Sequence, residues 1–378
     1  MTTLLHSATA VDGRGETSDA WVLLDGDTIS AVGTGAERPR SDDVVDLTGR
    51  WITPGFIDLH GHGGGGEDYA TGDLAVALAA HRSHGTTRSI VSLVANPVEV
   101  LADQLGRLAA VAGSDPRLLG SHLEGPFLAP ARRGAHAAEM LISPDAKTVD
   151  RLLAAADGTL RQVTIAPELP GALDAIRRFV AAGVVVAIGH TDADAATARA
   201  AFDAGATVLT HAFNAMPGIH HRAPGPIVAA FDDPRVTLEL VLDGRHVDPA
   251  VAAVAFASAP GRVALVTDAM AAAAAHEGRY RLGTLEVEVH DGVATVAGTD
   301  TVAGSTLTQD VALRLAVEQV RLSRSEAVAA LTATPARVLG VGDRLGLLEP
   351  GYAADVVALD DAFAVDYVWA GGFRDASR

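Results

Sequence analysis

The chain has 378 residues, 48% of them hydrophobic and 20% charged, which supplies a large buried core and excludes wholesale disorder. Its formal charge is −18 and no basic run exceeds Arg132-Arg133, which argues against a nucleic-acid binder built on clustered Lys and Arg. There is no cysteine, so disulfides, thiolate metal sites and cysteine nucleophiles are excluded.

The first fifty residues read as short strands, with Trp21-Val22-Leu23-Leu24 joined through Asp25-Gly26-Asp27 to an apolar run at 29–32. An Asp-Gly pair between apolar runs is a hairpin signal. The last forty residues have a similar texture, with runs at 354–359 and 367–369. Between the two ends, β-rich runs alternate with Ala-, Leu- and Arg-rich segments of helical period. The runs are 55–60, 87–94, 118–124, 161–167, 184–190, 207–211, 236–242 and 263–268. Helices are expected at 73–84, 97–111, 171–182, 192–204 and 249–258, while 212–235 reads as loop-rich. Eight strand–helix units match a (β/α)8 barrel, a fold of about 250 residues. A β-hairpin insertion near 280–296 turns at Asp291-Gly292. The alternative is an open doubly wound sheet, but no G-x-G-x-x-G follows a first strand. The glycine-rich run 61–66 lacks a phosphate-loop ending and is read as a mobile loop.

The ends of these runs carry the chemistry. The first closes in His60-Gly61-His62, the third in Glu124, the fifth in His190, the sixth in His211 and the eighth in Asp268. In a barrel all strand C-termini share one face, where the active sites of this fold lie. Each residue alone has an ordinary reading: His60, His62 and His211 as core histidines, Glu124 as a loop cap, His190 and Asp268 as helix-start residues. Together they are better explained as a metal centre. Imidazole with carboxylate suits Zn²⁺, Fe²⁺ or a similar divalent ion. Such an ion lowers the pKa of bound water to about 7, and a carboxylate beside it can take and return the proton. Asp268 is the candidate for that role, and metal-assisted hydrolysis is the expected reaction class.

On these residues the chain resembles the amidohydrolase superfamily, and within it the N-acetylglucosamine-6-phosphate deacetylases. The broader signals are the segment from Pro54-Gly55-Phe56 to His60-Gly61-His62 and the tail Gly351-Tyr352-Ala353-Ala354-Asp355. The narrower ones are His122-Leu123-Glu124-Gly125-Pro126, Gly189-His190-Thr191, Thr210-His211-Ala212-Phe213-Asn214-Ala215-Met216, Val266-Thr267-Asp268-Ala269 and Ala303-Gly304-Ser305-Thr306-Leu307.

The resemblance implies a barrel at 54–341 with a small β-sandwich built from 1–53 and 342–378. It implies hydrolysis of N-acetylglucosamine 6-phosphate to glucosamine 6-phosphate and acetate, with one or two divalent ions (Zn or Fe) per subunit. Glu124, His190 and His211 would hold the main ion, and His60 and His62 a second one. Asp268 would be the acid/base, and His246 would help to polarise the acetyl carbonyl. Substrate contacts would come from Ala135, His136, Asn214, Ala215 and Leu307. Arg222 would bind phosphate in the neighbouring subunit's site of a homodimer; Arg245 is an alternative anion ligand.

The single lysine, Lys147, precedes the fourth run and cannot supply the carboxylated lysine of dihydroorotase-like relatives. The rival functions are another amidohydrolase, acting on a different N-acyl amino sugar or a cyclic amide, and a catalytically silent barrel. No membrane or nucleic-acid partner is expected. With no apolar run near the ~18–20 residues of a membrane span and no signal-peptide pattern at the start, a cytoplasmic location is expected.

Overall fold

A computed structural model describes residues 1–375; the last three residues of the expected 342–378 segment lie outside the described residues. Eight parallel strands form one sheet: β1 (Phe56–Asp58), β2 (Thr86–Val94), β3 (Leu118–Glu124), β4 (Leu160–Ile165), β5 (Val185–Ile188), β6 (Val208–Leu209), β7 (Thr237–Val241) and β8 (Val263–Val266). Each pairs with its sequence neighbours in order. The ring closes between β8 and β1 through a parallel bridge of Gly61 with Ala269, and the Asp268 N–H donates to the His60 carbonyl at 2.8 Å. Closure therefore joins two of the strand ends that carry candidate site residues.

Helices follow the strands: α1 (Leu74–Arg82), α2 (Val98–Ala112), α3 (Ala146–Ala156), α4 (Ala172–Ala181), α5 (Ala195–Asp203), α6 (Gly225–Asp232), α7 (Pro249–Ser258) and α8 (Gln309–Glu318). Aspartates start four of them, because their carboxylates accept orphan N–H groups of the first turn. Asp73, Asp145, Asp194 and Asp248 play this part for α1, α3, α5 and α7. Lys147 lies in α3, before β4. The segment read as loop-rich contains α6, whose first residues are Gly225 and Pro226. It is eight residues long and almost uniformly apolar, so it carries little periodicity to read.

Two expectations need correction. The insertion is a three-stranded meander, Gly278–Leu282, Leu285–His290 and Val293–Val296, with an additional strand before the hairpin. The glycine-rich run is packed rather than a free loop: Gly61–Gly64 are buried, and Gly63–Gly64 pairs with Glu67–Asp68. The His62 and Gly63 N–H groups both donate to the Ala269 carbonyl, at 2.7 and 3.1 Å. A Cβ at Gly63 would lie 2.4 Å from the Glu67 carbonyl oxygen, so glycine is there for close backbone approach.

Both chain ends form a second, eight-stranded mixed sheet. Its first strand, Thr2–Asp12, pairs with Asp43–Asp46 along its first half and with Trp51–Pro54 along its second. Ser7, in left-handed backbone at φ 61°, marks the bulge where the partner changes and the sheet curls. Leu5, Val22, Leu24, Ile29, Ile52 and Trp369 fill the resulting core.

The sheet is tied to the barrel by a buried ion pair. Arg88, on β2, donates to Asp355 through Nε at 2.5 Å and Nη2 at 3.1 Å. Breaking a buried pair leaves a desolvated charge without its partner. Arg88→Ala is therefore expected to lower unfolding free energy by about 3–5 kcal/mol in urea denaturation. A loss of less than about 1 kcal/mol, the range of exposed pairs, would contradict this role for the pair.

Candidate metal centre

The strand ends converge. Glu124 closes β3 and is buried; His60 and His62 follow β1, His190 follows β5, His211 follows β6 and Asp268 follows β8. His190, His211 and Asp268 all adopt positive φ (45°, 27° and 49°). Left-handed backbone is costly for residues with a Cβ and persists where the surroundings enforce it, often at functional sites.

Two clusters of donor atoms result. Glu124, His190 and His211 form one, and His60, His62 and Asp268 the other, with the atoms of each cluster within 4.8 Å of one another. His190 Nε2 and His211 Nε2 each lie 3.1 Å from Glu124 Oε1 and 3.0 Å from each other. His62 Nε2 stands 3.3 Å from Asp268 Oδ1 and 3.2 Å from Glu124 Oε2. His60 Nε2 is 3.3 Å from Glu124 Oε1 and 3.6 Å from Asp268 Oδ1.

The proton positions favour a cation. His190 Nδ1 lies 2.8 Å from the Arg132 carbonyl, which only accepts, so Nδ1 carries hydrogen and a neutral ring presents a bare Nε2 to Glu124. His60 Nδ1 faces Glu239 Oε2 at 3.2 Å, and its Nε2 is buried with no hydrogen-bond partner among the described residues. Lone pairs aimed at carboxylate oxygens repel unless positive charge lies between them. The mixed imidazole–carboxylate set suits a borderline divalent ion.

His136 plays a different part. Its Nδ1 accepts from the Ala95 N–H at 3.3 Å, leaving Nε2–H to face Glu124 Oε2 at 3.4 Å.

The electrostatics follow from this crowding. Burial alone would raise the Glu124 carboxyl, but His60, His136, His190 and His211, when they carry protons on the nitrogens facing it, hold it well below the usual range. Burial would also raise Asp268, and His60 and His62 outweigh it, keeping Asp268 a carboxylate. Burial would lower the His62 imidazole, yet its bonds to Asp268 and Glu124 lift it to about 9. A centre that raises its imidazoles and depresses its carboxyls requires positive charge, from protons or from a metal.

A cleft of about 320 Å³ opens onto both clusters. Ala135, His136, Asn214, Ala215 and His246 line it together with His62, Glu124, His190, His211 and Asp268. His246 Nδ1 donates to Asp243 Oδ2 at 2.7 Å; burial lowers this imidazole, but that bond and the Asp243 charge raise it overall. Leu307 is buried outside this lining, with its N–H on Ser305 Oγ. Arg222 is exposed, also outside the lining, with Nη1 2.8 Å from His221 Nε2.

Sequence reasoning missed Glu239, Gln162 and the structural place of His122. His122 sits beneath the site, edge-on to His60, bonded to Ser92 at 2.8 Å and Thr164 at 2.9 Å. The available signal was polar residues inside apolar strands, Leu238-Glu239-Leu240 above all.

Comparison with known proteins shows the family. A family model described as the amidohydrolase family matches residues 51–373. An N-acetylgalactosamine-6-phosphate deacetylase of Escherichia coli O157:H7 is 38% identical, over 98% of this chain and 99% of its own. The N-acetylglucosamine-6-phosphate deacetylase of Bos taurus is 39% identical, over 89% of this chain and 86% of its own. A Mycobacterium smegmatis N-acetyl-D-glucosamine-6-phosphate deacetylase, solved as a point mutant in complex with N-acetyl-D-glucosamine-6-phosphate, superposes with a TM-score of 0.94 at 44% identity and 99% coverage of both chains. From the barrel, the converging strand ends and these relatives together, the chain belongs to the amidohydrolase family and, within it, to the N-acetylglucosamine-6-phosphate deacetylases.

Proposed function

We propose that the protein hydrolyses the acetamide of N-acetylglucosamine 6-phosphate, giving glucosamine 6-phosphate and acetate. The observation that carries this reading is that one cleft holds a cation-binding donor set, the Asp268 carboxylate beside it and an oriented histidine. Glu124, His190 and His211 would hold a zinc or iron ion, and His60, His62 and Asp268 would take a second. Such an ion, when bound, polarises the acetyl carbonyl and makes a water acidic enough to lose its proton near neutral pH.

The remaining chemistry belongs to the chain. Asp268 accepts the proton of the attacking water and returns it to the amide nitrogen as the C–N bond breaks, so the amine leaves neutral. His246, oriented through Nδ1 by Asp243 and favoured in its charged form by that carboxylate, would donate Nε2–H to the carbonyl oxygen as negative charge develops there. Asn214, Ala215, Ala135 and His136 line the same cleft and would contact the sugar.

Arg222 is exposed and outside its own chain's cleft, so a part in phosphate binding would require it to reach the bound phosphate of a partner subunit in a homodimer. In a chain of charge −18, a local guanidinium is the suitable ligand for a phosphate. A phosphorylated sugar does not diffuse out of a cell, which supports a cytoplasmic enzyme. The Escherichia coli relative favours N-acetylgalactosamine 6-phosphate as a second substrate, and the two sugars differ only in configuration at C4.

Acetate release from both sugar phosphates and from plain N-acetylglucosamine tests this reading. Asp268→Asn is expected to lower kcat about 10²–10⁴-fold while the cation on Glu124, His190 and His211 stays bound; substantial remaining turnover would refute its role. Arg222→Ala is expected to raise KM for the phosphorylated sugar about 10–100-fold and to leave the plain sugar unchanged. An equal rise for both would count against phosphate binding by Arg222.

A further inference from the structure

The barrel interior beneath the site holds a carboxylate that the hydrolysis does not use. Glu239 lies mid-strand in β7, fully buried, between the apolar Leu238 and Leu240. Barrel interiors are normally filled by branched apolar side chains, and a buried carboxylate is costly unless its bonds repay it. Each Glu239 oxygen has one side-chain partner. Oε2 accepts from His60 Nδ1 at 3.2 Å, and Oε1 accepts from Gln162 Nε2, on β4, at 2.7 Å. Gln162 is likewise fully buried, and its Oε1 has no partner among the described residues, so its amide is committed to Glu239.

The bond matters because of what it leaves at the other end of the ring. With hydrogen held on Nδ1, the neutral His60 ring presents a bare Nε2 lone pair at the barrel mouth, 3.3 Å from Glu124 and 3.6 Å from Asp268. In the opposite tautomer, Nε2–H would donate to those carboxylates and close the second cluster to a cation. His62 has no comparable brace, since its Nδ1 is buried without a partner among the described residues. His60 is thus the one histidine of its cluster whose ring is oriented from behind, as His190 is by the Arg132 carbonyl in the other.

We propose that Glu239, braced by Gln162, is the positioning residue that makes the His60–His62–Asp268 cluster a second divalent-cation site. This rests on the metal-centre reading above and says which buried pair decides whether the second ion is held. Partners behind a ligating histidine fix its tautomer and typically matter 10–100-fold in metal affinity.

The test is Zn²⁺ titration of chelator-stripped full-length protein, with bound metal counted by mass spectrometry after dialysis. Wild type is expected to bind two equivalents. Glu239→Leu should retain the first and weaken the second about 10–100-fold, and Gln162→Leu should weaken the second in the same direction. Glu239→Gln keeps an acceptor oxygen toward His60 Nδ1 and should restore near-wild-type binding, which a merely structural role for the charge would not predict. Wild-type affinity for the second equivalent in both Leu variants would overturn the proposal, as would a wild type that binds only one. Should Glu239→Leu fail to fold, Gln162→Leu decides alone. Binding of no zinc by wild type would instead overturn the metal-centre reading itself, so the two failures are distinguishable.

Discussion

Five imidazole nitrogens crowd the carboxylate of Glu124 at 3.1–3.4 Å, from His60, His62, His136, His190 and His211. All six side chains are buried, so no solvent shell relieves the requirement for matched charge. Much of the structure answers that requirement. The sheet closes where Asp268 bonds the His60 backbone, which brings the second carboxylate to the same centre. His190 and His60 have their distant nitrogens occupied by a carbonyl and a carboxylate, which aims the remaining lone pairs inward. A divalent cation satisfies these groups together, and the same cation is what an amide hydrolysis needs.

The fold supplies the convergence at the cost of local strain. Three site residues take left-handed backbone just beyond the ends of their strands, where their side chains join the cluster. Below them the interior is unusually polar. Ser92, His122, Thr164 and Thr210 form one hydrogen-bonded chain, and Gln162, Glu239 and His60 form another. These chains replace part of the usual apolar barrel filling with a rigid, hydrogen-bonded floor.

Much of this was legible in the sequence because a parallel barrel converts strand order into spatial convergence. A histidine or carboxylate ending an apolar run needs no tertiary information to be placed at the rim, which is why His60, His62, Glu124, His190, His211 and Asp268 could be picked out together. Residues mid-strand were harder. Glu239 reads as an interruption of an apolar run, and only the cross-barrel meeting with His60 and Gln162 gives it a role. The glycine run 61–66 misled because glycine signals either freedom or close approach, and packing against Ala269 and Ala271 decides for the latter. Short elements escaped for a different reason: eight residues of α6 and five of the first meander strand are too few for a period to emerge.

The central claim is that the buried carboxylate–imidazole cluster encloses a divalent cation. Anomalous diffraction from crystals of protein supplied with zinc, collected on either side of the zinc edge, tests it most directly. The account predicts a strong zinc-specific peak among Glu124, His190 and His211, and a second among His60, His62 and Asp268. A fully zinc-supplied protein with no peak within reach of Glu124 would contradict it.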